Sequence, residues 1–89
     1  MNDEAIRAIK LITSDICAIQ DFINDLKNNV SPIKKMYIVT DKQYSIELIH
    51  SFDEQTSLKI FNLIIENRQA LEKHLQEQLN KLTELTKKD

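Results

Sequence analysis

Apolar residues in the first third of the chain recur with the spacing of a helix. One row advances by alternating steps of three and four residues, which is a heptad pattern: Ile9, Ile12, Ile16, Ile19, Ile23, Leu26 and Val30. A second, broken row runs beside it: Ala8, Leu11, Ala18 and Phe22. The two rows predict a helix over about residues 3–29, capped by Asn2 or Asp3, with an apolar face wide enough to contact two neighbours.

The residues that follow this helix disfavour its continuation. Asn28 and Asn29 precede Ser31 and Pro32. Asparagine is the best substitute for glycine in the left-handed conformation that often ends a helix, so we expect an asparagine to adopt it here. Pro32 disfavours helical backbone at Ser31, which predicts a change of structure after this point.

Between about residues 35 and 50 the helical period gives way to alternation. Two runs rich in β-branched and aromatic residues flank a short polar turn at 41–43. Tyr44, Ile46 and Leu48 share one face of the second run. The pattern predicts a β-hairpin, which must lean on the helices or extend another sheet because an isolated two-stranded hairpin is marginal in water.

Ser51 and Glu54 have the spacing of a capping box and predict a second helix over about residues 52–86. Its first half is apolar nearly all round: Leu58, Ile60, Phe61, Leu63, Ile64 and Ile65. Its second half carries a narrow leucine stripe: Leu71, Leu75, Leu79, Leu82 and Leu85. We expect the first half in the core and the second half in a helix–helix seam. Arg68 and Gln78 interrupt the inner row, either to set register or because they lie at its border.

These elements predict one domain over residues 1–89, mainly α (α+β): a long helix, a β-hairpin and a long helix, forming an antiparallel helical hairpin. A chain of 89 residues supports one domain with a small, marginal core. If both helices start at the hairpin, the second should overhang the first by several residues and leave its leucines uncovered. A second copy is the simplest cover, so we expect dimerisation through coiled-coil-like packing.

Composition narrows the class of protein. The absence of glycine excludes the loops that cradle phosphates and dinucleotides, and we expect no cofactor. The net charge of −2, with both signs mixed along the chain, argues against nucleic-acid binding, because nucleic-acid binders usually concentrate Lys and Arg on one face. A single cysteine and the lack of a long apolar stretch favour a cytoplasmic protein without a membrane span. The abundance of Ile, Lys and Asn hints at an AT-rich bacterial or viral genome.

The histidines predict no metal site. His50 and His74 have no Cys or His three or four residues away, so the usual ligand spacing is missing. Glu47 could join His50, but two ligands do not make a site. We therefore expect no metal to bind.

The remaining polar residues predict no catalysis. Cys17 lies between Asp15 and Asp21, whose charges disfavour a thiolate, so we expect a partly buried structural thiol. Asp21 and Asp25 lie one helical turn apart but lack a predicted cleft, and we expect a solvated surface. The chain is thus expected not to be an enzyme and to have no catalytic residues.

The residues that most resemble a nucleic-acid-binding patch are Lys34 and Lys35, with Tyr37 and Tyr44 nearby. Protection of a strand edge and cross-strand packing explain the same residues better, because two lysines supply little charge.

The surplus of apolar helical surface without nearby chemistry favours a small non-enzymatic protein-interaction module, such as an adaptor, inhibitor or assembly factor, acting as a helical homo-oligomer with a protein partner. The expected interaction residues are Leu11, Phe22, Tyr37, Tyr44, Leu71, Leu75, Leu79 and Leu82. As an alternative, the order helix, hairpin, helix is similar to the β-type subunit of prefoldin, which implies a holdase chaperone whose hairpins join into a sheet. A small nucleic-acid-associated dimer is the third hypothesis.

Overall fold

The computed structural model describes residues 3–87, and it confirms the helix–hairpin–helix layout. Helix α1 (Asp3–Asn28) is followed by strands β1 (Met36–Val39) and β2 (Ser45–Leu48) and then by helix α2 (Glu54–Lys87). Each helix boundary lies within two residues of the predicted one. Asn2, a predicted cap of α1, lies outside the described residues.

The C-terminus of helix α1 is capped in a different way from the one expected. Among residues 3–87 only Gln43 has a positive φ, so neither asparagine is left-handed. The N–H of Asn29 instead donates to the carbonyl of Leu26 (3.1 Å), and its side-chain amide donates to the carbonyl of Asp25 (2.7 Å). These two bonds satisfy carbonyls that the end of a helix leaves without partners, which makes a left-handed residue unnecessary.

Strands β1 and β2 pair antiparallel, with Met36 opposite Leu48 and Ile38 opposite Ile46. The N–H of Thr40 donates to the carbonyl of Tyr44 (2.9 Å) and closes a three-residue turn. Its last residue, Gln43, has a φ of 60°, as this class of turn requires at that position. Glycine is the residue that adopts this conformation without strain, and the chain contains none.

Helix α2 begins two residues later than predicted, and its cap is Asp53 rather than Ser51. The Asp53 carboxylate accepts the N–H of Thr56 (2.6 Å), and its carbonyl accepts the N–H of Ser57 (3.0 Å). Because it accepts these hydrogen bonds as a carboxylate, the pKa of Asp53 is lowered from its usual value. The capping box predicted from Ser51 is therefore wrong.

The two helices lie along one another and form a single layer. The molecule measures 57 × 30 × 14 Å, and its thin dimension is close to the diameter of one helix, about 10–12 Å with side chains. Its radius of gyration is 17.9 Å, whereas a compact domain of this length has about 12 Å. A domain normally consists of two packed layers around a core, and this chain supplies only one.

The buried core of the described chain is correspondingly small. Its hydrophobic members are Ile16 and Ile23 of α1 and Ile65 of α2. The expectation that the first half of α2 lies in the core is only partly met: Ile65 is buried, but Leu58, Leu63 and Ile64 are exposed. One helix covers only a narrow stripe of another, so a helix that is apolar on nearly all sides keeps much of its apolar surface exposed.

Helix α2 is longer than its neighbour. It has 34 residues and α1 has 26, so α2 exceeds α1 by eight residues, about 12 Å of helix. The first turn of α2 supports the segment that leads into the hairpin.

That support depends on Ser57, which is the one buried polar residue among those described. Its hydroxyl accepts the N–H of Ile33 (2.9 Å), and the carbonyl of Ile33 accepts the N–H of Phe52 (2.9 Å). Beyond this base, no Cα atom of either strand lies within 8 Å of a Cα atom of either helix in the described chain. The strands of the hairpin therefore do not pack closely against the helices, so the first of its two expected supports is not seen in the described chain, and the second, extension of another sheet, stays a prediction.

Candidate protein-interaction surfaces

An open groove, which we call the helical groove, lies between the two helices. Its volume is about 520 Å³. The residues that line it are Ala18, Ile19, Phe22, Leu63, Ile64, Asn67 and Arg68. Apolar side chains form its floor and walls, and Arg68 is its one charged lining residue. Such a surface is suited to receive apolar side chains and offers few groups for proton transfer.

The α1 side of the groove continues along the helix. Leu11, Asp15, Ala18 and Phe22 are spaced by four, three and four residues, so they share one face. Leu11 is 67% exposed and Phe22 is 45% exposed. This face, the α1 strip, is the interrupted second row of the sequence pattern, and α2 leaves it uncovered. The prediction that α1 has more apolar surface than one helix can cover agrees with this exposure.

The α2 side presents a matching face, the α2 strip, made of Ile64, Arg68 and Leu71. These residues are again spaced by four and three. Ile64 is 38% exposed and Leu71 is 36% exposed, while Arg68 is half-buried. Each strip therefore combines apolar side chains with one charged residue, and the two charges have opposite signs.

Arg68 has a distinctive environment for a guanidinium. Its Nε and Nη2 atoms donate to the side-chain oxygen of the adjacent Asn67, at 3.1 and 2.8 Å. It forms no ion pair with any carboxylate of residues 3–87. A guanidinium has five N–H donors, so more than half of them are free for a partner. Arg68 thus borders the groove with unused hydrogen-bonding capacity.

The hairpin forms the second candidate surface, and its two faces differ. Met36, Ile38, Ile46 and Leu48 share one face, because the register pairs them with each other. Tyr44 lies opposite Thr40 and continues that same face, as the alternation predicts. Tyr37 and Val39 lie on the other face and are 66% and 74% exposed. The two tyrosines therefore point to opposite sides and do not form a joint stacking platform.

Lys35 is held in an ion pair at the base of the hairpin. Its Nζ lies 2.6 Å from Oε1 of Glu47 and 5.3 Å from the centre of the Tyr37 ring. Pairing with Glu47 raises the pKa of Lys35, and its hydrogen bond to Tyr37 adds to the effect. Lys35 therefore keeps its positive charge at neutral pH and loses it only as the pH rises through that raised value. Glu47, the residue that could join His50 as a metal ligand, is paired with Lys35 instead.

The predicted interaction residues fall into three groups. Leu11, Phe22 and Leu71 are exposed on the helical strips, and Tyr37 and Tyr44 are exposed on the hairpin. The other three are half-buried along α2: Leu75, Leu79 and Leu82. Sequence reasoning missed Leu63 and Ile64, which it assigned to the core. The all-round apolar pattern of that half of α2 was the available signal, because one neighbouring helix cannot cover it.

The polar residues considered for catalysis or metal binding do not form a common site. Cys17 is exposed, so the expectation of a partly buried thiol is wrong: it lies beside the buried row of α1, on the solvent side. His50 is exposed in the segment after β2, and His74 is hydrogen-bonded to Gln78 (3.2 Å) on α2. Asp21 and Asp25 are exposed on α1. Within residues 3–87 no three metal-binding side chains cluster, and neither helix is long and apolar enough to cross a bilayer.

Comparison of the chain with protein-family models, with curated proteins and with solved structures finds no match in any of the three.

Proposed function

We propose that this chain is a small non-enzymatic protein-interaction module, an adaptor, inhibitor or assembly factor, that acts as a helical homo-oligomer. The observation that carries the proposal is the ratio of buried to exposed apolar side chains. Among the described residues, three hydrophobic side chains are buried and fourteen large ones are exposed. Exposed apolar surface on this scale marks a site of association.

The size of the exposed surface supports association. The chain has an accessible surface of 7383 Å², whereas a compact monomer of its mass has about 5,400 Å². The excess, about 2,000 Å², is more than the roughly 800 Å² that each partner contributes to a standard protein–protein interface. A module of this shape therefore has room for a second copy on its helices and for another protein on its hairpin.

The chemistry of the two surfaces supports a binding role. The helical groove is lined by apolar side chains, and the hairpin carries its exposed tyrosines on opposite faces. The exposed thiol of Cys17 would stay reduced in the cytoplasm, where we place the protein. Lys35 is already paired with Glu47, which weakens the case for a nucleic-acid patch.

The test is the solution mass of the full chain, measured by light scattering over a wide dilution series. We expect at least twice the 10.4 kDa of one chain, with dissociation on dilution. Circular dichroism at each concentration reports whether the helices persist. A folded monomer at every concentration would overturn the homo-oligomer.

A holdase chaperone is the alternative function, and the free-standing hairpin favours it. Both outer edges of the hairpin have backbone groups that could pair with further strands. Suppression of the aggregation of an unfolded client, together with assemblies larger than a dimer, would support this alternative. A discrete dimer that leaves aggregation unchanged would favour the interaction module.

A further inference from the structure

We propose that a second copy of the chain covers the helical groove, with α1 of each copy lying on α2 of the other and both hairpins at the same end of the dimer. This inference rests on the proposed homo-oligomer and specifies its interface. Helices α1 and α2 of each copy would then form one layer of a four-helix bundle.

The first support is the single layer itself. The molecule is only 14 Å thick, and one of its two broad faces bears the α1 and α2 strips with the groove between them. Burying about 800 Å² on this face would use less than half of the excess surface of the chain. A second copy has a surface of the same length and width, and it thus supplies the missing layer.

The second support is the agreement between the two strips. Each has the spacing of four and three residues that allows side chains of one helix to fit between those of another. Ala18 and Arg68 line the same groove, so they lie within its length at similar levels along the helices. A two-fold axis parallel to the helices preserves these levels. It places the α1 strip of one copy against the α2 strip of the other, antiparallel, with Phe22 beside Ile64.

The third support is charge. In this arrangement Arg68 lies at a level similar to that of Ala18 of the other copy, and Asp15 is one helical turn from Ala18 on the same face. The exposed Asp15 carboxylate is therefore within reach of the free donors of Arg68. An arginine and a carboxylate make a strong, two-pronged hydrogen-bonded pair, and the two-fold symmetry forms it twice.

Charge also favours this arrangement over the other way of stacking two layers. A two-fold axis perpendicular to the helices would place α1 on α1 and α2 on α2, with the hairpins at opposite ends. The acidic strip containing Asp15 would then face its own copy, and so would the strip containing Arg68. Arg68 would then lack the Asp15 carboxylate as a partner, and complementary charges would not meet, whereas the arrangement with α1 on α2 brings them together.

Charge reversal tests the contact. We expect Arg68→Asp and Asp15→Arg each to weaken dimerisation roughly tenfold or more, because each leaves a like-charged pair in the interface. The double variant restores the pair in the opposite sense and should recover most of the affinity. Lys73→Asp and Glu72→Arg make the same charge changes on α2 outside the groove, and they should leave the affinity unchanged. Circular dichroism of each variant checks that it folds.

A distance measurement tests the orientation. Lys42, at the tip of the hairpin, is replaced by cysteine in a Cys17→Ser chain and spin-labelled. Hairpins at the same end should give a distance well below the 57 Å length of one chain. A dimer with the labels farther apart than that length, or one indifferent to charge reversal at Arg68, overturns this interface and leaves the homo-oligomer standing. A monomer overturns both.

Discussion

The helical pair and the hairpin both expose apolar side chains, but they differ in how far their backbone N–H and C=O groups are hydrogen-bonded. Every interior residue of a helix satisfies its backbone N–H and C=O groups within the helix, so α1 and α2 lack only a cover for their side chains. The hairpin has two free edges as well as an uncovered apolar face. A partner on the helices would thus supply packing alone, whereas a partner on the hairpin could supply hydrogen bonds as well.

The two regions also differ in how they are held in place. The helices share the buried side chains of Ile16, Ile23 and Ile65. The hairpin has no buried residue, and its base is tied to α2 through Ser57. Regions with few buried contacts open at lower free energy than the rest of a protein. We therefore expect the hairpin to exchange its amide protons sooner than the buried parts of the helices.

The largest effect is expected from removing a core side chain of the helical pair. Ile23→Ala should lower the free energy of unfolding by about 2–5 kcal/mol, because the cavity opens in a core that has only three buried hydrophobic residues among those described. Denaturant unfolding followed by circular dichroism measures the loss. Ile49→Ala, at an isoleucine that is 67% exposed outside the helices, is the matched control and should cost much less. Equal losses would contradict the assignment of the core.

A smaller effect is expected at the junction of the two regions. Ser57→Ala removes the acceptor of the Ile33 N–H in a part-buried position and should cost about 1–3 kcal/mol. Hydrogen exchange should quicken at the amides of Ile33 and Phe52, which the junction holds. Ser14→Ala, at an exposed serine of α1, should change neither quantity. Unaltered exchange at Ile33 in the Ser57 variant would show that the hairpin is held by other contacts.

The hairpin turn should respond in the opposite direction. Gln43→Gly relieves a left-handed backbone at φ 60° and should stabilise the hairpin by about 1 kcal/mol. Slower hydrogen exchange at the Thr40 amide, with no change in α1, is the expected readout. Lys42→Gly is the control: φ there is not positive, so glycine adds only freedom to the unfolded chain and should speed exchange. Slower exchange in both variants would rule out relief of strain.

The smallest effect is expected at the cap of α2. The pKa of Asp53 is lowered by the backbone N–H of Thr56, so the unfolded chain binds a proton more readily than the folded one. Its stabilising contribution is therefore present above the ordinary carboxyl pKa of 3.8 and is lost as the pH falls through the lowered value. Asp53→Asn keeps an acceptor for Thr56 without this titration. The difference in melting temperature between the two proteins should shrink on acidification; Asp21→Asn serves as the control.

Much of the architecture follows from periodicity. Rows spaced by three and four residues predict two helices, and the alternation around Ile46 and Leu48 predicts the hairpin and the face that Tyr44 shares with them. These patterns are local, because a helix or a strand repeats its geometry every few residues. The order and type of elements, with boundaries accurate to two residues, could therefore be predicted from sequence.

The sites were harder to predict because they depend on which of several apolar rows is covered. Leu63, Ile64 and Ile65 look alike in the sequence, yet Ile65 is buried and the other two line or border an open groove. Phe22 and Leu71, expected as interaction residues, are exposed. Cys17 was expected to be partly buried but is exposed. The crossing of α1 and α2 determines each of these outcomes, and no short-range pattern encodes it.

By itself, the sequence determined which elements form, in what order, and that their apolar surface exceeds what two helices can cover. Only the tertiary structure decided that Asp53 caps α2, that Ser57 holds the hairpin and that Arg68 borders the helical groove. The physical reason is the range of the interactions. Helix and strand formation depends on neighbours a few residues away, whereas burial and hydrogen-bond partners depend on segments that folding brings together.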